Sequence, residues 1–225
     1  MEIAHIYRRK EDEAIFYCWF RAMHTRVDIV MRTGGVEDVC LELAERMRSR
    51  IREIEAAGNC FDPASELSRF NDGLLAPDEL SGELQQILRI CEEWRIRTDG
   101  IFNVKVNGRI NLSGFLKGYA LDELKPLLAV YGISDALVSM GNSSILAIGN
   151  RDAEVAGWLL TAPDGGTHLL RNQCLTTSGN DNPGRRHIID PRTGKFIEGQ
   201  RTVSVITDSG AEGEVMSIVK FILSA

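Results

Sequence analysis

The residues with the clearest chemical potential are His187 and Asp190, set three apart in His187-Ile188-Ile189-Asp190-Pro191-Arg192-Thr193-Gly194. A histidine titrates near neutral pH, and here it stands just before an Asp-Pro turn. Pro191 fixes its own φ and pushes Asp190 into an extended conformation. Gly194 can adopt the left-handed geometry that closes a short hairpin into Lys195-Phe196. A strand ending in such a turn presents polar side chains at a sheet edge, where a ligand can reach them. The plainer reading of His187 is a strand residue bonded to the turn backbone.

A second segment, Ser113-Gly114-Phe115-Leu116-Lys117-Gly118-Tyr119-Ala120-Leu121-Asp122, reads as the start of a helix capped by Ser113. Lys117 then lies one turn inside a helix N-terminus, where free amides and the macrodipole favour an anion. Glycine in the first helical turns costs up to about 1 kcal/mol relative to alanine. Gly114 and Gly118 therefore suggest that something packs or binds closely against that face. A phosphate cradle fits this pattern, as does a surface lysine on an ordinary capped helix. Thr176-Thr177-Ser178-Gly179-Asn180-Asp181 adds hydroxyls beside a flexible glycine, suited either to a ribityl chain or phosphate or to a polar turn. Ser65 and Arg69, behind Asp62-Pro63, look like residues that hold a capped turn.

These groups need a scaffold. Residues 16–31 are rich in aromatic and β-branched side chains and read as strand. Residues 36–57 carry Val39, Leu43, Met47, Ile51 and Ile54 at helical spacing, and Gly58-Asn59 supplies the stop. A second helix spans about 81–97 on the stripe Leu84, Ile87, Leu88, Cys91 and Trp94. A third spans about 114–131, bent or restarted at Pro126. Strands follow at 136–140, 144–148, 155–162, 168–171, 186–189 and 203–208, with a last helix at about 212–223. Helices and strands are partly segregated, which favours an α+β layer architecture. No internal repeat or long linker divides the 225 residues, so a single domain over 1–225 is expected.

Composition sets further bounds. The chain is 44% hydrophobic and 26% charged, the balance of a globular protein with a sizeable core. A net charge of −6 leaves no basic field for a nucleic acid backbone. A phosphate ligand must then be held locally, by backbone amides, one or two cations or a metal. No apolar run is long enough for a membrane span, and residues 1–13 lack the apolar segment of a secretory signal. Five scattered cysteines without a Cys-x-x-Cys spacing point to reduced thiols and a cytoplasmic setting.

In this order, FDPASELSRFN, NLSGFLKGYALD, ALVSMGNSSILAIG, TTSGN, HIIDPRTG and SVITDSGAEGEVMS resemble the ApbE-like flavin transferases, the FAD:protein FMN transferases. The likeness runs from Ala22-Met23 to the last helix. It implies an α+β fold with a mixed, largely antiparallel sheet flanked by helices and a ligand cleft between two lobes. FAD would lie in that cleft, and FMN would pass to a threonine hydroxyl of an acceptor flavoprotein as AMP leaves. Magnesium would polarise the pyrophosphate, the usual division of labour in phosphoryl transfer. Carried onto this sequence, the resemblance makes His187 and Asp190 catalytic. Met23, Ser65, Gly114, Lys117, Gly141, Ser178, Gly179, His187 and Thr193 would contact FAD, and Glu214 would hold the metal. A homo-oligomer is left open.

The departures from the family pattern cluster around the metal. The family places an Asp and a Thr four residues apart on the last helix, where this chain has Glu214 and Ile218. Glutamate can ligate magnesium through a longer arm, whereas isoleucine offers no oxygen. The Met-Gly-Thr turn reads Met23-His24-Thr25, the Asp before the Lys117 segment is Asn111, and Asn142-Ser143 follow Gly141. Two alternatives stay open: a flavin- or nucleotide-binding relative that lost the metal site, and an FAD pyrophosphatase that uses water.

Overall fold

The computed structural model describes residues 3–11, 13–152, 154–180 and 188–224. The chain opens with strands β1 (Ala4–Lys10), β2 (Glu13–Ala22) and β3 (Thr25–Thr33), then helices α1 (Glu37–Gly58), α2 (Glu66–Asn71) and α3 (Gly82–Arg97). A short ribbon, β4 (Lys105–Val106) and β5 (Arg109–Ile110), leads into α4 (Leu116–Val130). Strands β6 (Asp135–Met140), β7 (Ser144–Ile148), β8 (Trp158–Thr161), β9 (Thr167–Leu170) and β10 (Gln173–Asn180) follow. The chain ends with β11 (Ile189–Asp190), β12 (Lys195–Phe196), β13 (Arg201–Thr207) and α5 (Gly210–Leu223).

Seven strands form one sheet in the order β1-β2-β3-β6-β7-β10-β13, each antiparallel to its neighbour. Period-two alternation sends Phe16, Cys18, Phe20, Val27, Ile29, Met31, Val138 and Leu146 to one buried face. Helices α1, α4 and α5 cover that face. On the other face, Trp158 and Leu170 of the β8–β9 hairpin pack over Ile145, Ala147 and Leu175. This is the α+β arrangement expected from the segregation of helices and strands.

Several local expectations are corrected. The stretch 16–31 is two strands, because Met23 and His24 adopt positive φ (49° and 57°) and close a hairpin. Val39 of α1 is 43% exposed, and the buried stripe runs instead through Cys40, Leu43, Ala44, Met47, Ile51 and Ile54. Helix α4 continues through Pro126 without restarting. Its N-cap is Phe115 rather than Ser113, which places Lys117 within the first turn. The expected strand at 186–189 falls partly outside the described residues.

Two contacts lock the helices under the sheet. The Arg50 guanidinium of α1 donates to Glu83 of α3 at 2.5 Å and to Glu123 of α4 at 2.6 Å. Asp122 of α4 accepts from the amides of Gly210 and Ala211 at 2.9 Å and from the Ser209 hydroxyl at 2.7 Å. A carboxylate at a helix N-terminus satisfies amides that have no intrahelical partner. Asp122 thereby fixes where α5 begins relative to α4.

Candidate functional site

A cleft of about 840 Å³ opens where two hairpin tips, the start of α4, strand β10 and helix α5 converge. Its volume lies within the usual range for small-molecule sites. The first tip is Met23-His24. A two-residue hairpin of this twist needs positive φ at both positions, a role usually filled by Asn-Gly. For other L-residues this geometry costs roughly 1–2 kcal/mol each. The His24 ring stands edge-on to exposed Phe61, with centroids 6.0 Å apart.

The second tip comprises Gly141 (φ 65°), Asn142 (φ 60°) and Ser143, between β6 and β7. The Gly141 amide donates to the Arg26 carbonyl at 2.9 Å. A Cβ on Gly141 would lie 3.2 Å from Thr25 Cβ and closer still to the Thr25 hydroxyl. Glycine is therefore what lets the two tips abut.

The charged groups sit deeper. Lys117 projects from the first turn of α4, and its ammonium donates to the Ser143 hydroxyl. Glu214 of α5 is only 4% exposed, and its carboxylate accepts from the Ser144 hydroxyl at 2.6 Å and from the Gly118 amide. Burial pushes the Glu214 pKa above the usual carboxylate value, against the opposing pull of Lys117, Ser144 and Gly118. One helical turn further, Ile218 abuts the start of α4: a Cβ on Gly114 would lie 3.0 Å from Ile218 Cδ1.

Of the residues expected at the site, Met23, Gly114, Lys117, Gly141, Ser178, Gly179 and Glu214 all line this cleft. The Ser178 hydroxyl already pairs with that of Ser217 at 2.8 Å. Ser65 does not reach the cleft. It is buried, accepts from the Ser68 amide at 3.1 Å to cap α2, and donates to the Asn59 carbonyl at 2.6 Å. Asp190 is also turned away. Its carboxylate accepts from the Arg192 backbone amide and from Nε and Nη2 of the same residue, each at 2.9 Å. The Arg192 hydrogen bond holds the Asp190 carboxyl below its ordinary pKa. Thr193 is exposed on the same turn, bonded to the Asp190 carbonyl and the Lys195 amide. His187 lies outside the described residues. Its neighbour Ile188, with Ile189 and Pro191, lines the cleft.

Sequence reasoning missed Ser143 and Ser144 as partners of the charged pair, and His24 and Phe61 as part of the wall. A Gly-Asn pair after the strand ending at Met140 marks the second tip as a turn, but nothing local says that it meets Lys117.

The donor set does not suit the magnesium ion expected at Glu214. That ion takes six oxygens in near-octahedral geometry, usually with one or two free carboxylates. Among the described residues, no group of three or more His, Cys, Asp or Glu side chains comes together to hold a metal. Of the two carboxylate residues that line the cleft, Glu55 and Glu214, it is Glu214 that is bonded to two donors and lies in the field of an ammonium, and Ile218 presents methyl groups where an oxygen would be needed.

A model of the ApbE family matches residues 23–109 and 104–225. The FAD:protein FMN transferase of Rhodobacter capsulatus is 33% identical over 117 residues, which cover 46% of this chain and 22% of that relative. The chain thus spans about a fifth of that relative's length. Among solved structures, the apo flavinyl transferase ApbE of Pseudomonas stutzeri has a TM-score of 0.81 at 15% identity, over 96% of this chain and 86% of the other. The flavin transferase ApbE of Vibrio cholerae has a TM-score of 0.75 at 17% identity, over 99% and 87%. The ApbE protein of Thermotoga maritima has a TM-score of 0.76 at 19% identity, over 93% and 87%. These structural likenesses establish the fold, and the family model, matched over most of the sequence, establishes more: the chain belongs to the ApbE family.

Proposed function

We propose that this protein is an FAD:protein FMN transferase-like enzyme whose cleft holds FAD across the start of α4. The carrying observation is Lys117, a cation in the first turn of a helix, facing a cleft walled by hydroxyls and close-packed glycines. In this reading the ammonium holds the pyrophosphate. An acceptor threonine hydroxyl attacks the phosphorus on the FMN side. The new O–P bond forms, the bridging P–O bond breaks, and AMP leaves with the electron pair. His187 takes the hydroxyl proton. Lys117 stabilises charge that grows on the bridging oxygen, the kind of preorganised term that dominates phosphoryl transfer. Asp190 acts through the turn that carries His187, and Thr193 closes that turn.

The partners in this reading are FAD and an acceptor flavoprotein. No helix among the described residues is long and apolar enough to cross a membrane. All five cysteines are free thiols and four are buried, which supports a reducing, cytoplasmic setting. Loss of the metal donors favours a second reading, a relative that binds the nucleotide without cleaving it. Incubation with FAD, followed by chromatography for AMP and FMN, separates the two. Transfer predicts AMP release, with in-gel flavin fluorescence on an acceptor carrying an exposed threonine. FAD that is bound but recovered intact would establish the binding-only relative.

A further inference from the structure

Positive charge beside the polyphosphate must come either from a bound divalent ion or from the protein. The cleft contains Lys117, and the surroundings of that side chain are built around an ammonium. Ser143 accepts from it, and the carboxylate of Glu214 lies close enough to act on it electrostatically. Glu214 itself is committed. It is held by the Ser144 hydroxyl and the Gly118 amide, and it is packed so tightly that a Cβ on Gly118 would come within 2.6 Å of Glu214 Cγ. Swinging this carboxylate into the cleft to meet an ion would break both bonds and leave a buried amide unpaired, at a cost of about 1–3 kcal/mol for that amide alone. On the same helix face, Ile218 fills the neighbouring position with carbon.

We propose that the Lys117 ammonium is the resident cation of the nucleotide cleft, so that the diphosphate is bound without a divalent metal. The inference rests on the cleft being a nucleotide site and specifies how that site recognises its anion. It makes a Glu214 variant behave differently from one in a metal site. In a metal site, Glu214→Gln removes a ligand and weakens binding. Here Glu214 is no ligand, and Gln can still accept from Ser144 or Gly118, so nucleotide binding is kept.

The test is calorimetric titration of the full chain with FAD and, separately, with ADP, in buffer containing EDTA and in buffer containing magnesium. For the wild type, affinities in the two buffers should agree within about threefold. Lys117→Met should weaken both ligands by at least about tenfold, the scale of a lost charge-assisted contact. Glu214→Gln should leave ADP affinity in EDTA within about threefold of the wild type. A wild type whose ADP affinity rises about tenfold or more with magnesium overturns the inference. So does a folded Glu214→Gln protein whose ADP affinity falls by about tenfold or more. The wild-type comparison decides the matter even where Glu214→Gln fails to fold. Metal-free binding of ADP without binding of FAD would sustain the cation assignment and sink the flavin reading. Binding of neither ligand in either buffer would sink both.

Discussion

Gly118→Ala sets local propensity against tertiary packing at one atom, and the two give opposite signs. Residue 118 lies within α4, where alanine is favoured over glycine by about 1 kcal/mol. On propensity alone the substitution stabilises. In the fold, the new Cβ would lie 2.6 Å from Glu214 Cγ and well inside contact distance of the Gly210 carbonyl. Carbon atoms pack at about 3.5–4.0 Å, so α4 and α5 must part by roughly 1 Å. The obstacle includes backbone, which cannot rotate aside as a side-chain tip can. Overpacking of this kind typically costs about 1–3 kcal/mol. Separation also stretches the Asp122 bonds that cap α5, all at 2.7–2.9 Å, and the Gly118 amide bond to Glu214. Net of propensity, a loss of about 1 kcal/mol is expected, which lowers Tm by roughly 2–4 °C in a chain of this size. Gly82→Ala is the control, because Gly82 also sits in a helix but its Cβ would meet nothing within 4 Å. That variant should be neutral or more stable. Urea denaturation followed by circular dichroism reads both midpoints at an unchanged m-value. Gly118→Ala at or above wild-type stability would refute the claimed closeness of the α4–α5 crossing.

Three further outcomes follow from the same geometry. His24→Gly should raise stability by about 0.5–1 kcal/mol, because glycine accepts the φ of 57° without strain; a lower denaturation midpoint would show that the turn is not strained. Glu83 is partly buried, which alone would raise its pKa, but hydrogen bonds from Arg50 and Tyr119 outweigh burial and hold it below its ordinary 4.5. A depressed folded pKa gives stability that is present above the ordinary value and lost as pH falls through the folded one. The wild type should therefore exceed Glu83→Gln in stability near neutrality, with the gap closing in acid; a gap independent of pH between neutrality and strong acid would contradict the assignment. Combining Ile218→Thr with Glu214→Asp returns an oxygen to each position that the family uses for its metal. AMP release from FAD by this protein should become magnesium-stimulated by about tenfold or more, equivalent to 1.4 kcal/mol. A folded, FAD-binding double variant indifferent to magnesium would mean that these two oxygens are not what the site lacks.

Much of the scaffold was legible because its signals are local. Helical spacing in α3 and alternation in β6 depend only on neighbours in sequence. The β2–β3 hairpin was hidden because Met23-His24 carries none of the Asn-Gly chemistry that usually marks such a turn. Strand β1 was hidden by its arginines and lysine, which are at home on an edge strand. The α1 stripe is legible at Leu43, Met47, Ile51 and Ile54, and only its first position differs, since Val39 and Cys40 both fit a helical repeat and packing against the sheet chooses between them. At the site, Lys117 and its glycines were visible as a helix start. Its partners were not, because Ser143 and Glu214 come from elements 26 and 97 residues away. The expectation of Glu214 as a ligand failed to foresee the Gly118 amide, which only the helix crossing brings to it. Ser65 was read as a turn holder from its spacing and as a ligand contact from the resemblance, and its bonds to Asn59 and Ser68 favour the first.

The central claim, that the cleft around Lys117 takes FAD, is tested most directly by titrating FAD into the protein and following quenching of flavin fluorescence. The wild type should bind FAD at one site per chain and more tightly than FMN alone, because FMN lacks the pyrophosphate that is proposed to meet Lys117. Lys117→Met, with an unchanged thermal melt, should reduce FAD affinity to that of FMN. Equal affinity of wild type and Lys117→Met for FAD, or no saturable binding by the wild type, would contradict the account.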